Sequence, residues 1–112
     1  MSTIPVQFTN NNTVGLFITA NSDEERLNWT NRAAVLLSSL YGGCTITENR
    51  GCWLDQSGQI VSEKSIYVWS YATEGQDSTD VLVSFAREFI TACNQEAALL
   101  VVNNQHAFIS QE

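Results

Sequence analysis

Three groups of residues in this sequence have side chains and spacing suited to chemistry. The first is polar and sits on two facing strand segments: Glu48 and Arg50 on one, Glu63 on the other. A guanidinium fork can hold a phosphate or a carboxylate with two parallel hydrogen bonds. Two carboxylates can divide acid and base roles where burial drives their pKa values apart. If the segments pair as a simple hairpin, Arg50 falls opposite Glu63. The plain outcome is then a cross-strand ion pair contributing roughly 0.2–1 kcal/mol. The second group is aromatic: Tyr67, Trp69 and Tyr71 at alternate positions, with Trp53 on the facing segment. The third is His106, the single histidine and a group whose ordinary pKa lies near neutrality. A small enzyme working through Glu48, Glu63 and His106 would need all three in one water-excluded pocket.

Other chemistries are disfavoured. The three cysteines, Cys44, Cys52 and Cys93, form no Cys-x-x-Cys pair. Their odd number suits a reducing cytoplasm better than a disulfide framework. One histidine and no paired ligand spacing speak against zinc. Gly42-Gly43 ends a helical pattern instead of leading from a strand into a helix, so it is no phosphate loop. No cofactor, no metal and no assigned catalytic residue are therefore expected.

Twelve acidic against five basic residues give a formal charge of −7. Nucleic-acid binding depends on Lys and Arg neutralising phosphates, and docking on anionic lipid makes the same demand, so neither partner is expected. No apolar run approaches the ~18 residues that span a bilayer, and the first residues lack the basic and apolar regions of a secretory signal. The expected location is cytoplasmic, in the host cytoplasm for a viral protein.

The elements that would position these groups can be read in order. Val6 to Phe8 suggests a short strand, and Thr13 to Thr19 a longer one with Val14, Leu16 and Ile18 on one face. Ser22 and Glu25 match a capping box, opening a helix over about residues 23–41 whose stripe includes Leu27, Ala33, Leu37 and Tyr41. Trp29 lies off that stripe, as core edge or partner contact. Two long arms, Cys44 to Leu54 and Gln59 to Ala72, flank the turn Asp55-Gln56-Ser57-Gly58. They exceed the usual strand length, so the tip should project beyond the core or bend at Gly51. After a loop at Glu74-Gly75-Gln76-Asp77, a second apolar stripe runs from Val81 to Cys93. Ala97 to Val102 reads as a buried strand, Asn103-Asn104 as a tight turn, and His106 to Ser110 as a last strand or tail. The order β-α-β-β-α-β predicts one α+β domain over residues 1–112, ferredoxin-like, with an antiparallel sheet, two helices on one face and a long central hairpin.

Alternation then places Tyr67, Trp69 and Tyr71 on the helix-free face, with Trp53 and Phe17 nearby. A contiguous apolar patch of this kind marks a binding surface. Three covers compete: a second copy of the chain (a homodimer or higher assembly), a planar ligand stacked on the rings, or the chain's own termini. The expected ligand-binding set is Arg50, Trp53, Glu63, Tyr67, Trp69 and Tyr71.

The blocks Tyr41-Gly-Gly-Cys-Thr-Ile-Thr-Glu-Asn-Arg-Gly-Cys-Trp53, Gly58-Gln-Ile-Val-Ser-Glu63 and Asn94-Gln-Glu-Ala97 resemble a group of small uncharacterised phage and bacterial proteins. The resemblance covers about residues 13–109 and implies the ferredoxin-like fold and a viral origin. By analogy with small acidic phage proteins, it suggests an antagonist of host defence. On this reading the chain is a non-enzymatic, self-associating binding protein that sequesters a nucleotide-like small molecule. The alternatives are an acidic inhibitor that mimics nucleic acid and binds a basic host protein, and the small enzyme of Glu48, Glu63 and His106.

Overall fold

Alternating apolar residues in the strands and 3.6-residue stripes in the helices give this chain two layers. The computed structural model describes residues 12–72 and 78–110. In chain order the elements are β1 (Asn12–Ile18), α1 (Asp23–Tyr41), β2 (Thr45–Leu54), β3 (Ile60–Ala72), α2 (Thr79–Ala92), β4 (Ala97–Val102) and β5 (Gln105–Ser110). The strand expected at 6–8 and the loop at 74–77 lie outside the described residues. The five strands form one sheet in the order β2-β3-β1-β4-β5, every neighbouring pair antiparallel. The protein is thus α+β, with two helices and a five-stranded antiparallel sheet.

One face of the sheet carries Val14, Leu16, Ile18, Val68, Ala72 and Leu100, all buried against Leu37, Leu82, Phe89 and Ile90 of the helices. Helix α1 begins where the capping pattern places it: the Ser22 hydroxyl oxygen accepts from the Glu25 N–H at 3.1 Å. It ends at Gly42, whose φ of 89° is a left-handed conformation that a side chain would disfavour. Its buried stripe differs from the sequence reading. Leu27 is 60% exposed and Trp29 only 4%. The buried positions are Trp29, Thr30, Ala33 and Leu37, turned from the expected stripe because the Trp29 ring meets Phe85 and Phe89 of α2, each at 5.6 Å. Arg32 then lies 4.0 Å above the Trp29 ring and bonds Glu88 at 2.9 Å, tying the helices together at their surface.

The central hairpin projects, making the molecule 62 Å long and 29 Å across. Strand β2 runs through Gly51 without interruption, and each of its residues is exposed. At the tip, the Asp55 carboxylate accepts from the N–H groups of Ser57 and Gln59 and from the Ser57 hydroxyl. Asp55 N–H donates to Gln59 O at 2.9 Å, which leaves a three-residue loop ending at Gly58 with φ 84°. Three-residue hairpin loops place their left-handed residue at the last position. This odd loop length sets the register, which pairs Leu54 with Ile60, Gly51 with Glu63 and Arg50 with Lys64. The expected Arg50–Glu63 pairing is therefore off by one residue, and that single step puts the two side chains on opposite faces.

The second hairpin is tighter. Asn103 and Asn104 have φ values of 53° and 66°, the pattern of a two-residue type I′ turn. The Asn104 side chain and backbone also clamp the start of β1, through Thr13 N–H to Asn104 Oδ1 at 2.7 Å and Asn104 N–H to Thr13 O at 3.2 Å.

Candidate functional site

The helix-free face carries the rings predicted for it. Phe17 of β1 stacks on Tyr67 of β3 with centroids 4.3 Å apart, Tyr67 lies parallel to Trp69 at 6.1 Å, and Tyr71 meets Trp69 edge-on at 5.1 Å. The ladder exists because β1 and β3 pair in register, Phe17 opposite Tyr67 and Gly15 opposite Trp69. A Cβ at Gly15 would stand 2.7 Å from Trp69 Cβ, so glycine lets this pair approach. The rings shield one another to a degree, and burial pushes the Tyr67 hydroxyl pKa up. Tyr71, at the end of the ladder, remains exposed.

Beside Phe17 the face opens into a cleft of about 920 Å³, within the range of small-molecule sites. Its walls come from three places. The hairpin supplies Arg50, Trp53 and Glu63; the sheet supplies Phe17, Leu99 and Phe108; the turn from α2 to β4 supplies Asn94, Gln95 and Glu96. That turn is shaped locally: Asn94 takes a left-handed φ of 53°, Gln95 N–H closes on Ile90 O at 2.9 Å, and the Thr19 hydroxyl donates to Gln95 Oε1 at 3.1 Å. The even register of the hairpin puts Glu63 on the same face as Trp53. Trp53 is 49% exposed and Phe108 77%, leaving ring surface free for a planar ligand.

The expected binding residues therefore divide. Arg50, Trp53 and Glu63 share the cleft. Tyr67 adjoins it through Phe17, while Trp69 and Tyr71 lie further along the strand, where they flank a shallower hollow with Tyr41 and Cys44. The set Glu48, Glu63 and His106 is not assembled. Glu48 pairs with Ile66 and borders a second cleft beside α1, Glu63 borders the first, and His106 is exposed on β5 opposite Val101. Among the cysteines, Cys52 is exposed at the cleft and Cys93 buried. Burial, reinforced by the Glu25 carboxylate, pushes the Cys93 thiol pKa up and keeps it protonated.

Sequence reasoning did not single out Glu96 or Phe108. Parity held the signal for Phe108: it pairs with Leu99, two residues after Ala97 on the same face. Glu96 reaches the cleft through the left-handed turn at Asn94, which composition alone does not announce. Among the described residues no group of three or more His, Cys, Asp or Glu is placed to hold a metal ion, and no helix is long and apolar enough to cross a membrane.

A family described as a protein of unknown function, DUF3574, matches residues 19–108. No curated protein matches the chain. Two solved structures of a phage SAM lyase share its fold. One, in complex with S-methyl-5'-thioadenosine, superimposes with a TM-score of 0.63 at 15% identity, covering 99% of this chain and 98% of that one. The other, in the apo state, gives 0.64 at 14% identity, covering 98% of each. At such identity the likeness is one of fold. The matching structures are those of an enzyme, and this runs against the expectation of a non-enzymatic binding protein.

Proposed function

The chain belongs to the DUF3574 family, and we propose that it is an enzyme acting on a small adenosine-containing sulfur compound, of the class of S-adenosylmethionine and S-methyl-5'-thioadenosine. One observation carries this reading: the two arms of the hairpin, at Arg50–Trp53 and Glu63, and the distant turn at Asn94–Glu96 line a single nucleoside-sized cleft. It is supported by the fold shared with the lyase that binds such a ligand. These segments are also the ones that carried the resemblance noted from sequence.

Each wall suits a part of such a molecule. The exposed faces of Trp53 and Phe108 are stacking surfaces for a purine. The carboxylates of Glu63 and Glu96 accept hydrogen bonds from ribose hydroxyls and attract a positively charged sulfonium, as does the face of the Trp53 ring. In an elimination, a base takes a proton from the carbon adjacent to the one bonded to sulfur, and that C–H electron pair becomes a carbon–carbon double bond in the departing chain. The carbon–sulfur bond breaks with its pair passing to the sulfonium, which becomes a neutral thioether. Glu63 and Glu96 are the carboxylates at the cleft that can serve as that base. The element order, with β3 between β1 and β2 and β1 between β3 and β4, further supports a ferredoxin-like arrangement extended by β5 at one edge.

The test is calorimetric titration with S-methyl-5'-thioadenosine, paired with chromatography of S-adenosylmethionine incubated with the protein. Saturable binding is expected, weakened roughly 5–100-fold in Trp53→Ala by loss of base stacking. Glu63→Gln should lower turnover more than it lowers affinity. Absence of binding to either molecule, or binding indifferent to both substitutions, would remove the proposal.

A further inference from the structure

The other side of the hairpin holds a second cleft, of about 610 Å³, between the start of α1 and the middle of β2 and β3. It gathers Arg26, Arg50 and Lys64, together with the carboxylates of Asp23 and Glu48; the three cations are three of the five basic residues in a chain of charge −7. Such a concentration runs against the composition of the whole molecule. Arg26 is engaged structurally, donating to Ala20 O at 2.8 Å and pairing with Asp23. Arg50 and Lys64 are different: neither makes an ion pair among the described residues.

They are also directly opposite each other in the β2–β3 register. Opposed strand residues have Cβ atoms about 4.5–5.5 Å apart, and like charges in that position destabilise a sheet. The nearest carboxylate on the same face of β2, Glu48, lies two residues along the strand and pairs with Ile66, so it does not separate the two cations. An anion seated between them would turn this repulsion into two charge-assisted contacts, a guanidinium fork on one side and an ammonium point charge on the other. We propose that this cleft is a binding site for a tetrahedral oxyanion, a phosphate group, held by Arg50 and Lys64 across the hairpin. The site lies on the α1 side of the hairpin; it shares Arg50 with the wall of the nucleoside-sized cleft, whereas Lys64 belongs to it alone.

Thermal unfolding in phosphate-free buffer of low ionic strength, titrated with inorganic phosphate, tests it. The melting temperature should rise saturably, by about 5–8 °C at roughly ten times the dissociation constant. Lys64→Gln is expected to begin from a higher melting temperature than the native chain, the repulsion being gone, and to show no response to phosphate. Its binding of S-methyl-5'-thioadenosine should be unchanged, since Lys64 does not line the first cleft. An equal rise with acetate or chloride at matched ionic strength would overturn the proposal. So would a phosphate response that survives Lys64→Gln.

Discussion

The two faces of this sheet solve the problem of apolar surface in different ways. The covered face packs aliphatic side chains from β1, β3 and β4 under two helices, and Leu16, Ile18, Val68, Leu37 and Phe89 are wholly buried. Among the described residues the open face has no second layer. It stacks its rings along the sheet, Phe17 on Tyr67 and Tyr67 beside Trp69, and leaves the ring surfaces of Trp53 and Phe108 free. A closed layer gives stability and no access; a stacked layer gives partial burial and keeps a place for a ligand. The chain accordingly puts its stability on one side and its cleft on the other.

That contrast is tested most severely by truncating a ring on each face. Phe89→Ala removes a fully buried ring between the helices and the sheet, and should lower unfolding free energy by about 3–5 kcal/mol. The same truncation at Phe108, on the open face, should change stability by no more than about 0.5 kcal/mol, as surface substitutions do. Denaturant titration of both variants measures the difference. A Phe108→Ala loss as large as that of Phe89→Ala would mean that the open face is a core after all.

Gly15→Ala comes next, because it disturbs the closest approach on the open face. The added methyl would meet the Trp69 side chain and the backbone of Val68, within a ladder whose strands cannot part without losing hydrogen bonds. Overpacking of this kind costs about 1–3 kcal/mol. Near-ultraviolet circular dichroism should change along with stability, since the Trp69 ring shifts in its stack. A variant with unaltered spectrum and stability would show that Gly15 is not what lets the ring ladder form.

A smaller effect, of opposite sign, is expected inside the covered layer. The Thr30 hydroxyl is buried and has no hydrogen-bond partner among the described residues. Thr30→Val keeps the branched shape and removes the unsatisfied oxygen, so it should stabilise by about 1 kcal/mol, measured as a higher urea midpoint at unchanged slope.

How much of this could be read from sequence follows from the range of the interactions. Local signals sufficed for α1, whose Ser22 cap and Gly42 stop depend on neighbours a few residues away, and for the Asn103-Asn104 turn. Strict alternation sufficed for the placement of Tyr67, Trp69 and Tyr71. Trp29 was not assignable because its burial is decided by Phe85 and Phe89, more than fifty positions distant. The pairing of Arg50 failed for a subtler reason. It turns on whether the loop after Asp55 holds three residues or four, and both fit the same Asp-Gln-Ser-Gly segment. The cleft needed that register together with the turn at Asn94, so the sequence pointed to Arg50, Trp53 and Glu63 of its wall but not to Glu96.

The smallest effect concerns that same turn, and it bears on how the faces are assigned at all. The hydrogen bonds that Asp55 accepts, chiefly from the Ser57 hydroxyl and then the Gln59 and Ser57 N–H groups, hold its carboxyl pKa below the ordinary 3.8. A lowered pKa in the folded state means that the carboxylate's contribution is complete above the unfolded value, and is lost as pH falls through the folded one. The group sits at the hairpin tip, outside the core cluster, so little global stability is at stake. The expected response is local: below about pH 4, amide exchange at Ser57 and Gln59 accelerates while exchange in β1 and β4 does not. Asp55→Asn, which cannot ionise, should show loop exchange independent of pH over that interval once intrinsic rates are removed. Its Trp53 fluorescence would report any slip of the hairpin by one residue, which would exchange the side chains of the two faces. Acceleration spreading equally through the whole sheet would show that the turn and the covered layer unfold as one unit, and the division between arm and core would then have no energetic basis.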